Sequence, residues 1–538
     1  MKKAFKLTAF TLILLLIFTM GFQVYGKSNK TMTVSFQTDI TTLDPAIGYD
    51  WQNWSIIKSM FNGLMDYKPG TTQLIPDLAA SYTVSPDGKT YTFKLRQHVT
   101  FGNGREVTAS DVKYSLERVL DPQTQSPGSG FYTNIAGADE FSAGKAKTVT
   151  GITVPDKYTV KFTLVKPNAA FLHTMALNFA FVVPKEAVAK YGKDFGHHPV
   201  GTGAFYLKEW VLGQRLVLAK NPHYHVANQP LLDEIVFQIG LDPTVALLKL
   251  QHGEIDLLGD GIPSSRFVEV MKDPKLKKLI VEASQLQTGY VTINTQMKPF
   301  DNVKVRQALN MAVNKPRIIQ VINGRASVAN QILPPLMPGY DPSYKGYPYD
   351  PAGAKKLLAE AGFPNGFSTV LYANNVDPNP RIAQMLQQDL ANIGIKVELK
   401  TLAQSTVIEA GGTKATAPLV WSGGMAWIAD YPDPNDFYWP ILGSASAAPG
   451  GWNWAWYAKA EFDKRAESAD VISDPAQQGK RIKLWQGIFT DIMKEDAPWI
   501  PIFNEKRYAL HSARIGGANA LFADPIHIPV YYNGVYAK

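Results

Sequence analysis

The segment that most constrains the fold is Thr369 to Lys400. Thr369-Val-Leu-Tyr-Ala373 is rich in β-formers, and Lys396-Val-Glu-Leu-Lys400 alternates like a second strand. Between them Pro380 opens a helical pattern that runs to Ile393, and Gly394 supplies its stop. Two strands joined by a single helix read as a βαβ unit. Such a unit needs a sheet with helices packed against it. The fold class is therefore α/β. At 538 residues the chain exceeds what one core supports, so more than one domain is expected. No Gly/Ser tether marks a boundary, which predicts that the domains are joined by crossing strands.

Other elements fit that frame. Met32 to Gln37 alternates as a strand, and Tyr91 to Leu95, Tyr158 to Leu164, Leu216 to Ala219 and Glu234 to Ile239 read the same way. Thr108 with Asp111 has the spacing of a helix-capping box, with aspartate in the glutamate position. A long helix is expected over Gln478 to Glu495, with Trp485, Ile488 and Phe489 on one face.

The N-terminus has the layout of a secretory signal. Lys2, Lys3 and Lys6 precede an apolar run from Leu7 to Phe22, and polar residues follow Gly26. That run, about 16 residues, is short for a membrane span of ~20. Residues 1–26 are read as a cleaved signal peptide, with an uncleaved anchor as the alternative. Both place the folded part outside the cytoplasm. The chain has no cysteine, which excludes disulfides, thiolate metal sites, thiol catalysis and a lipid-modified cysteine. The net charge of +8 comes from dispersed basic residues, so no nucleic-acid partner is expected.

Catalytic signatures are missing: there is no zincin motif, Walker loop or nucleophile elbow. His197-His198 and His223-Tyr-His225 are close histidine pairs without further ligands in the pattern, and no metal or cofactor is assigned. Trp452-Asn-Trp-Ala-Trp-Tyr457 is either a face for stacking sugar rings or a packed loop. The stretch from Met425 to Phe437 is the most unusual chemically. It holds three acids, three aromatics and two prolines, and so reads as a rigid loop rather than a helix or a central strand. A carboxylate beside Trp427 and Tyr431 sits in a partly dry place and requires a donor or cation, from the protein or from a ligand.

Several blocks carry a family resemblance. Leu74-Ile-Pro-Asp-Leu-Ala-Ala-Ser-Tyr82 leads through Ser85-Pro-Asp-Gly88 to Val99-Thr-Phe-Gly-Asn-Gly104 and Val107-Thr-Ala-Ser-Asp-Val112. Val200-Gly-Thr-Gly-Ala-Phe205, Leu250-Gln-His-Gly-Glu-Ile-Asp256 and Val305-Arg-Gln-Ala-Leu309 follow in order. Together they resemble the extracytoplasmic solute-binding proteins of ABC importers, the family of oligopeptide, dipeptide and nickel binders.

The resemblance implies a two-lobed, Venus-flytrap architecture. Residues 27–72, 200–287 and 500–538 would form the core of lobe one, 73–199 an inserted subdomain, and 288–499 lobe two. It also implies a monomeric binding protein, not an enzyme, that delivers peptides to a membrane permease. Trp427-Ile-Ala-Asp430 is similar to the family's Trp-x-x-Asp, whose aspartate meets the ligand's ammonium, with Tyr431 beside it. Tyr49 and Trp51 fall in the early loop that flanks an extended peptide. Arg381 resembles an arginine of the dipeptide binders and is a candidate for a carboxylate. Oligopeptide binders carry an arginine three residues before the tryptophan, where this chain has Gly424. The same fold with a sugar, nickel chelate or opine as cargo stays open, and a secreted hydrolase is the remote alternative.

Overall fold

The computed structural model describes residues 30–423, 427–521 and 530–538; the signal segment and Gly424 lie outside the described residues. Two sheets organise the chain. The first has five strands in the order Leu257–Leu258, Thr31–Phe36, Glu234–Ile239, Arg215–Lys220, Phe205–Val211. Thr31–Phe36 pairs in parallel with both of its neighbours and is buried at every residue. The sequence alternates here, yet both faces are covered, as parallel central strands require. The small polar residues Thr33 and Ser35 are thus packed inside.

A four-stranded antiparallel sheet follows in the order Ala79–Val84, Thr90–Leu95, Thr159–Thr163, Ile152–Asp156. The helix Ala109–Leu120 packs on it, its Leu116 sharing a core with Phe93 and Phe162. The start of that helix is fixed by Asp111, whose carboxylate accepts from the Thr108 N–H at 2.9 Å and from its hydroxyl at 2.8 Å.

The second large sheet runs Ile280–Ser284, Trp499–Leu510, Gln287–Ile293, Leu419–Trp421, Ser368–Asn374, Lys396–Leu402. It contains the expected βαβ unit. Ser368–Asn374 and Lys396–Leu402 pair in parallel through all seven positions, and the helix Asn379–Ala391 crosses between them. Gly394 has φ of +89°, which only glycine adopts without strain. The helix Gln478–Asp491 is shorter than its pattern suggests and ends in a π-turn over Ile492–Asp496.

The lobes are joined by a strand that crosses between them. In Trp499–Leu510, Ile500, Ile502 and Phe503 lie in the core of the second sheet. Farther along, Tyr508 and Leu510 pack with Ala246 and Leu250, and His511 bridges to Leu257 of the first sheet. The antiparallel subdomain also packs against the second lobe. Phe93 and Phe162 share one continuous apolar cluster with Phe437, Tyr438 and Trp485. Among the described residues no helix is long and apolar enough to cross a membrane.

Candidate functional site

A cleft of about 740 Å³ opens between the two sheets. Tyr49 and Asp260 reach it from the first lobe, Trp427, Asp430 and Trp452 from the second, and Glu505 to Tyr508 from the crossing strand.

Met425 and Ala426 lie outside the described residues; from Trp427 to Phe437 the stretch is more regular than its prolines suggest. Trp427–Ile428 adds a two-residue strand to Gln287–Thr288, and Asn435–Tyr438 forms one helical turn. The expectation of no helix fails at Asn435–Tyr438, while the two-residue strand lies off the main order of its sheet and is not a central strand. Pro432 and Pro434 lie between these elements, where no ladder donor is required. Asp430, two residues past that strand, lines the cleft although it is only 3% exposed. Its Oδ1 accepts from the Tyr49 hydroxyl at 2.7 Å. That bond joins the lobes, and it supplies from the protein a donor that the sequence left unassigned. Burial, followed by the negative charge of Asp430, pushes the Tyr49 hydroxyl far above its ordinary value, so it donates at any physiological pH.

Behind Asp430 lies a second acid. Asp436 Oδ2 accepts from the Asp430 N–H at 3.0 Å and from Trp427 Nε1 at 3.3 Å, while its Oδ1 is buried without a hydrogen bond. Asp436 thus fixes both members of the Trp-x-x-Asp motif. Burial, then the proximity of Asp430, raises its carboxyl well above the carboxylate range. Asp433 has a different partner. Its Oδ1 accepts from the Asn435 N–H at 3.0 Å, and Arg481 grips both oxygens at 2.6 and 2.7 Å. Asp470 lies beside the same guanidinium at 3.4 Å and accepts from Trp439 Nε1 at 2.6 Å. In the sequence Asp433 and Asp436 are simply two of the three acids of this stretch. Sequence reasoning misses the pairing with Arg481 because that partner is 48 positions away.

The other expected site residues divide. Tyr49, Trp427 and Asp430 share the cleft. Tyr431 is buried beneath it, stacked on His173 at 6.1 Å and edge-on to Phe131 at 6.2 Å. Trp51 opens the helix Trp51–Met60, whose cap is Asp50; the Trp51 side chain lies outside the described residues. Arg381 stands apart from the cleft lining. It is exposed and holds Asp377 in a fork at 2.7 and 2.8 Å, on the first turn of its own helix.

The aromatic run is a packed loop. Trp454, Trp456 and Tyr457 are buried, and only Trp452 faces the cleft, edge-on to Trp427 at 6.3 Å. His197 and His198 both turn to Asp194, at 2.8 and 3.2 Å. Charged residues of the crossing strand were missed. The available signal is Glu505-Lys506-Arg507, three charges in a row following an apolar strand that ends at Phe503.

The Tyr49–Asp430 bond can be tested directly. Tyr49→Phe deletes a hydrogen bond to a charged group, worth roughly 1.5–3 kcal/mol. The unliganded protein is expected to become more open, read as a larger radius of gyration in solution scattering. An unchanged radius would remove Tyr49 as a bridge between the lobes.

Comparisons with known proteins agree with this architecture. Residues 73–449 match the family model for bacterial extracellular solute-binding proteins, family 5 Middle. The glutathione-binding protein GsiB of Escherichia coli O1:K1 / APEC is 33% identical over 493 residues, covering 91% of each chain. Among solved structures, the ABC transporter-associated periplasmic binding protein DppA from Helicobacter pylori, in complex with the peptide STSA, is 29% identical with a TM-score of 0.75, over 94% of this chain and 98% of that one. The dipeptide-binding protein from Pseudoalteromonas sp. SM9913, in complex with Met-Leu, is 27% identical with a TM-score of 0.74, over 94% and 100%. With its two sheets, crossing strand and interlobe cleft, the chain belongs to family 5 of the bacterial extracellular solute-binding proteins.

Proposed function

We propose that this protein is the extracytoplasmic binding component of an ABC importer, capturing short peptides in the interlobe cleft and delivering them to a membrane permease. The observation that carries the reading is Asp430. It is a buried carboxylate on the cleft wall, flanked by Trp427 and joined to the opposite lobe through Tyr49. A peptide ammonium is a natural second partner for such a carboxylate, because a charge-assisted bond in a partly dry site strongly favours ligands that carry the charge.

A ligand touching both lobes binds the closed arrangement better than an open one, and that difference in affinity drives closure. The peptide complexes of the Helicobacter and Pseudoalteromonas relatives and the glutathione-binding relative support a peptide cargo. In this reading the N-terminal 26 residues direct export and are removed, the mature protein acts as a monomer without cofactor, and it binds its cargo without transforming it. Trp427 and Tyr49 act with Asp430. Arg381, committed to Asp377 on the surface, is given no ligand contact.

Native mass spectrometry of the purified mature protein tests the reading. A ladder of retained peptide masses is expected. A single sugar or metal-chelate mass in its place would overturn the peptide assignment, and hydrolysed product above one equivalent per protein would overturn the non-enzymatic one.

A further inference from the structure

The aromatic loop from Gly450 to Tyr457 is held in place on both sides of Trp452. Before it, the Gly450 N–H donates to the Gly412 carbonyl at 3.0 Å, just past the helix Gln404–Gly411. After it, Asn453 is buried, and its side-chain amide donates to the Gly443 and Tyr457 carbonyls at 3.1 and 2.7 Å. Trp454 packs on that helix with Val407 and Ala410, where a Cβ at Gly411 would strike the indole at 2.6 Å. Trp456 Nε1 donates to the Gly411 carbonyl at 3.1 Å. None of these contacts uses the Trp452 side chain. Trp452 is 45% exposed, whereas Trp454, Trp456 and Tyr457 are buried.

Trp452 is instead a wall of the cleft. Its ring centre stands 5.6 Å from that of Trp454, tilted by 30°, and 6.3 Å from that of Trp427, at 63°. Trp427 and Ile408 line the same cavity. Two indoles meeting at that angle make a corner. A planar ring can lie against the face of one and turn its edge to the other, the two arrangements that aromatic quadrupoles favour. Asp436 fixes where the corner stands. Its Oδ2 accepts both the Trp427 indole N–H at 3.3 Å and the Asp430 N–H at 3.0 Å, so the aromatic corner adjoins the acid.

We propose that Trp452 is a specificity-determining residue: together with Trp427 it receives an aromatic side chain on the ligand's first residue, the one whose ammonium meets Asp430. The proposal rests on the peptide reading and names the side chain that the cleft favours within it. The first residue is singled out because its side chain branches from the carbon that carries the ammonium. An uncharged ring suits the corner better than a cation. The ring gains from burying apolar surface as well as from stacking, whereas a cation would have to give up hydration to reach the indoles, with the adjoining acid already engaged by the ammonium.

The test measures tripeptides X-Ala-Ala on the mature protein by calorimetry, with X alanine, leucine, phenylalanine, tyrosine or arginine, and Ala-Ala-Phe as the positional control. The wild type is expected to bind Phe-Ala-Ala and Tyr-Ala-Ala roughly 10- to 100-fold more tightly than Ala-Ala-Ala, the scale of burying one aromatic side chain. Leu-Ala-Ala should fall between, and Ala-Ala-Phe should show no such gain. Trp452→Ala is expected to lose most of the preference, and Trp452→Phe, which keeps a ring, to retain part of it. A purely structural residue would behave differently: its loss would weaken all the peptides by the same factor and lower the thermal midpoint of the unliganded protein, and that outcome overturns the proposal. So does a Trp452→Ala protein that keeps the preference, or a wild type that binds peptides but favours no aromatic first residue or favours arginine there. In each of these cases the peptide reading stands. A wild type that binds none of the peptides overturns that reading and this proposal with it.

Discussion

Replacing Arg481 with methionine is expected to destabilise the folded protein by about 3–5 kcal/mol, the cost of removing one partner from a buried ion pair. Arg481 is 2% exposed and binds both oxygens of Asp433, with Asp470 at 3.4 Å from the same guanidinium. Its removal would leave two acids facing each other inside the second lobe. The loss should appear as a lower urea midpoint with an unchanged slope. Combining Arg481→Met with Asp433→Leu should recover a large part of it, since an apolar pair of similar volume avoids the desolvation cost.

The pH dependence has a definite sign. Burial disfavours the charged form of Asp433, but Arg481 prevails and holds its carboxyl below the usual range. A depressed carboxyl contributes stability that is complete above the unfolded value of about 3.9 and is lost as the pH falls through the folded value. The gap between wild type and Arg481→Met should therefore be widest near neutral pH and close in acid. Asp470 acts in the opposite direction. Burial, then the charge of Asp433, raises it to about 6. It weakens the fold as the pH climbs from about 4 towards that value. A variant within 1 kcal/mol of wild type at pH 7 would show that the ion pair is not structural.

What the sequence conveyed follows from the range of the interactions involved. The βαβ unit was legible because a helix with proline at its start and glycine past its end is specified locally, and Gly394 meets a local need for positive φ. The Trp-x-x-Asp motif was legible through family resemblance, and Trp427 and Asp430 both line the cleft. The partners were not legible. Tyr49 comes to Asp430 from 381 positions away and Arg481 to Asp433 from 48. Pairings at that separation are set by topology, not by spacing. Thr31–Phe36 shows the same limit. Its alternation suggests one wet face, but it pairs in parallel and is buried at every residue. Arg381 shows the converse, since a local partner four residues earlier captures a side chain that the resemblance had aimed at a ligand.

Asp430→Asn is the substitution expected to affect binding most. Asparagine keeps an oxygen to accept the Tyr49 hydroxyl, now 2.7 Å from Oδ1, so the contact between the lobes survives and the overall fold is retained. What is lost is the charge, and an amide N–H₂ now faces the position proposed for the peptide ammonium. Truncating one side of a buried charge pair costs roughly 2–5 kcal/mol, so peptides with a free amino terminus should bind about 30- to 1,000-fold more weakly. N-acetylated peptides, which carry no ammonium, should bind both proteins with similar weak affinity. Asp436 makes the comparison sharper. It fixes the Asp430 backbone and the Trp427 indole through one oxygen, and burial, then the charge of Asp430, raises its carboxyl above the usual carboxylate range. In Asp430→Asn that neighbour's charge is gone, so the Asp436 carboxyl should titrate lower than in the wild type, visible as a shift of its side-chain carbon resonance. Equal losses for free and acetylated peptides would mean that Asp430 shapes the loop and does not receive the ligand.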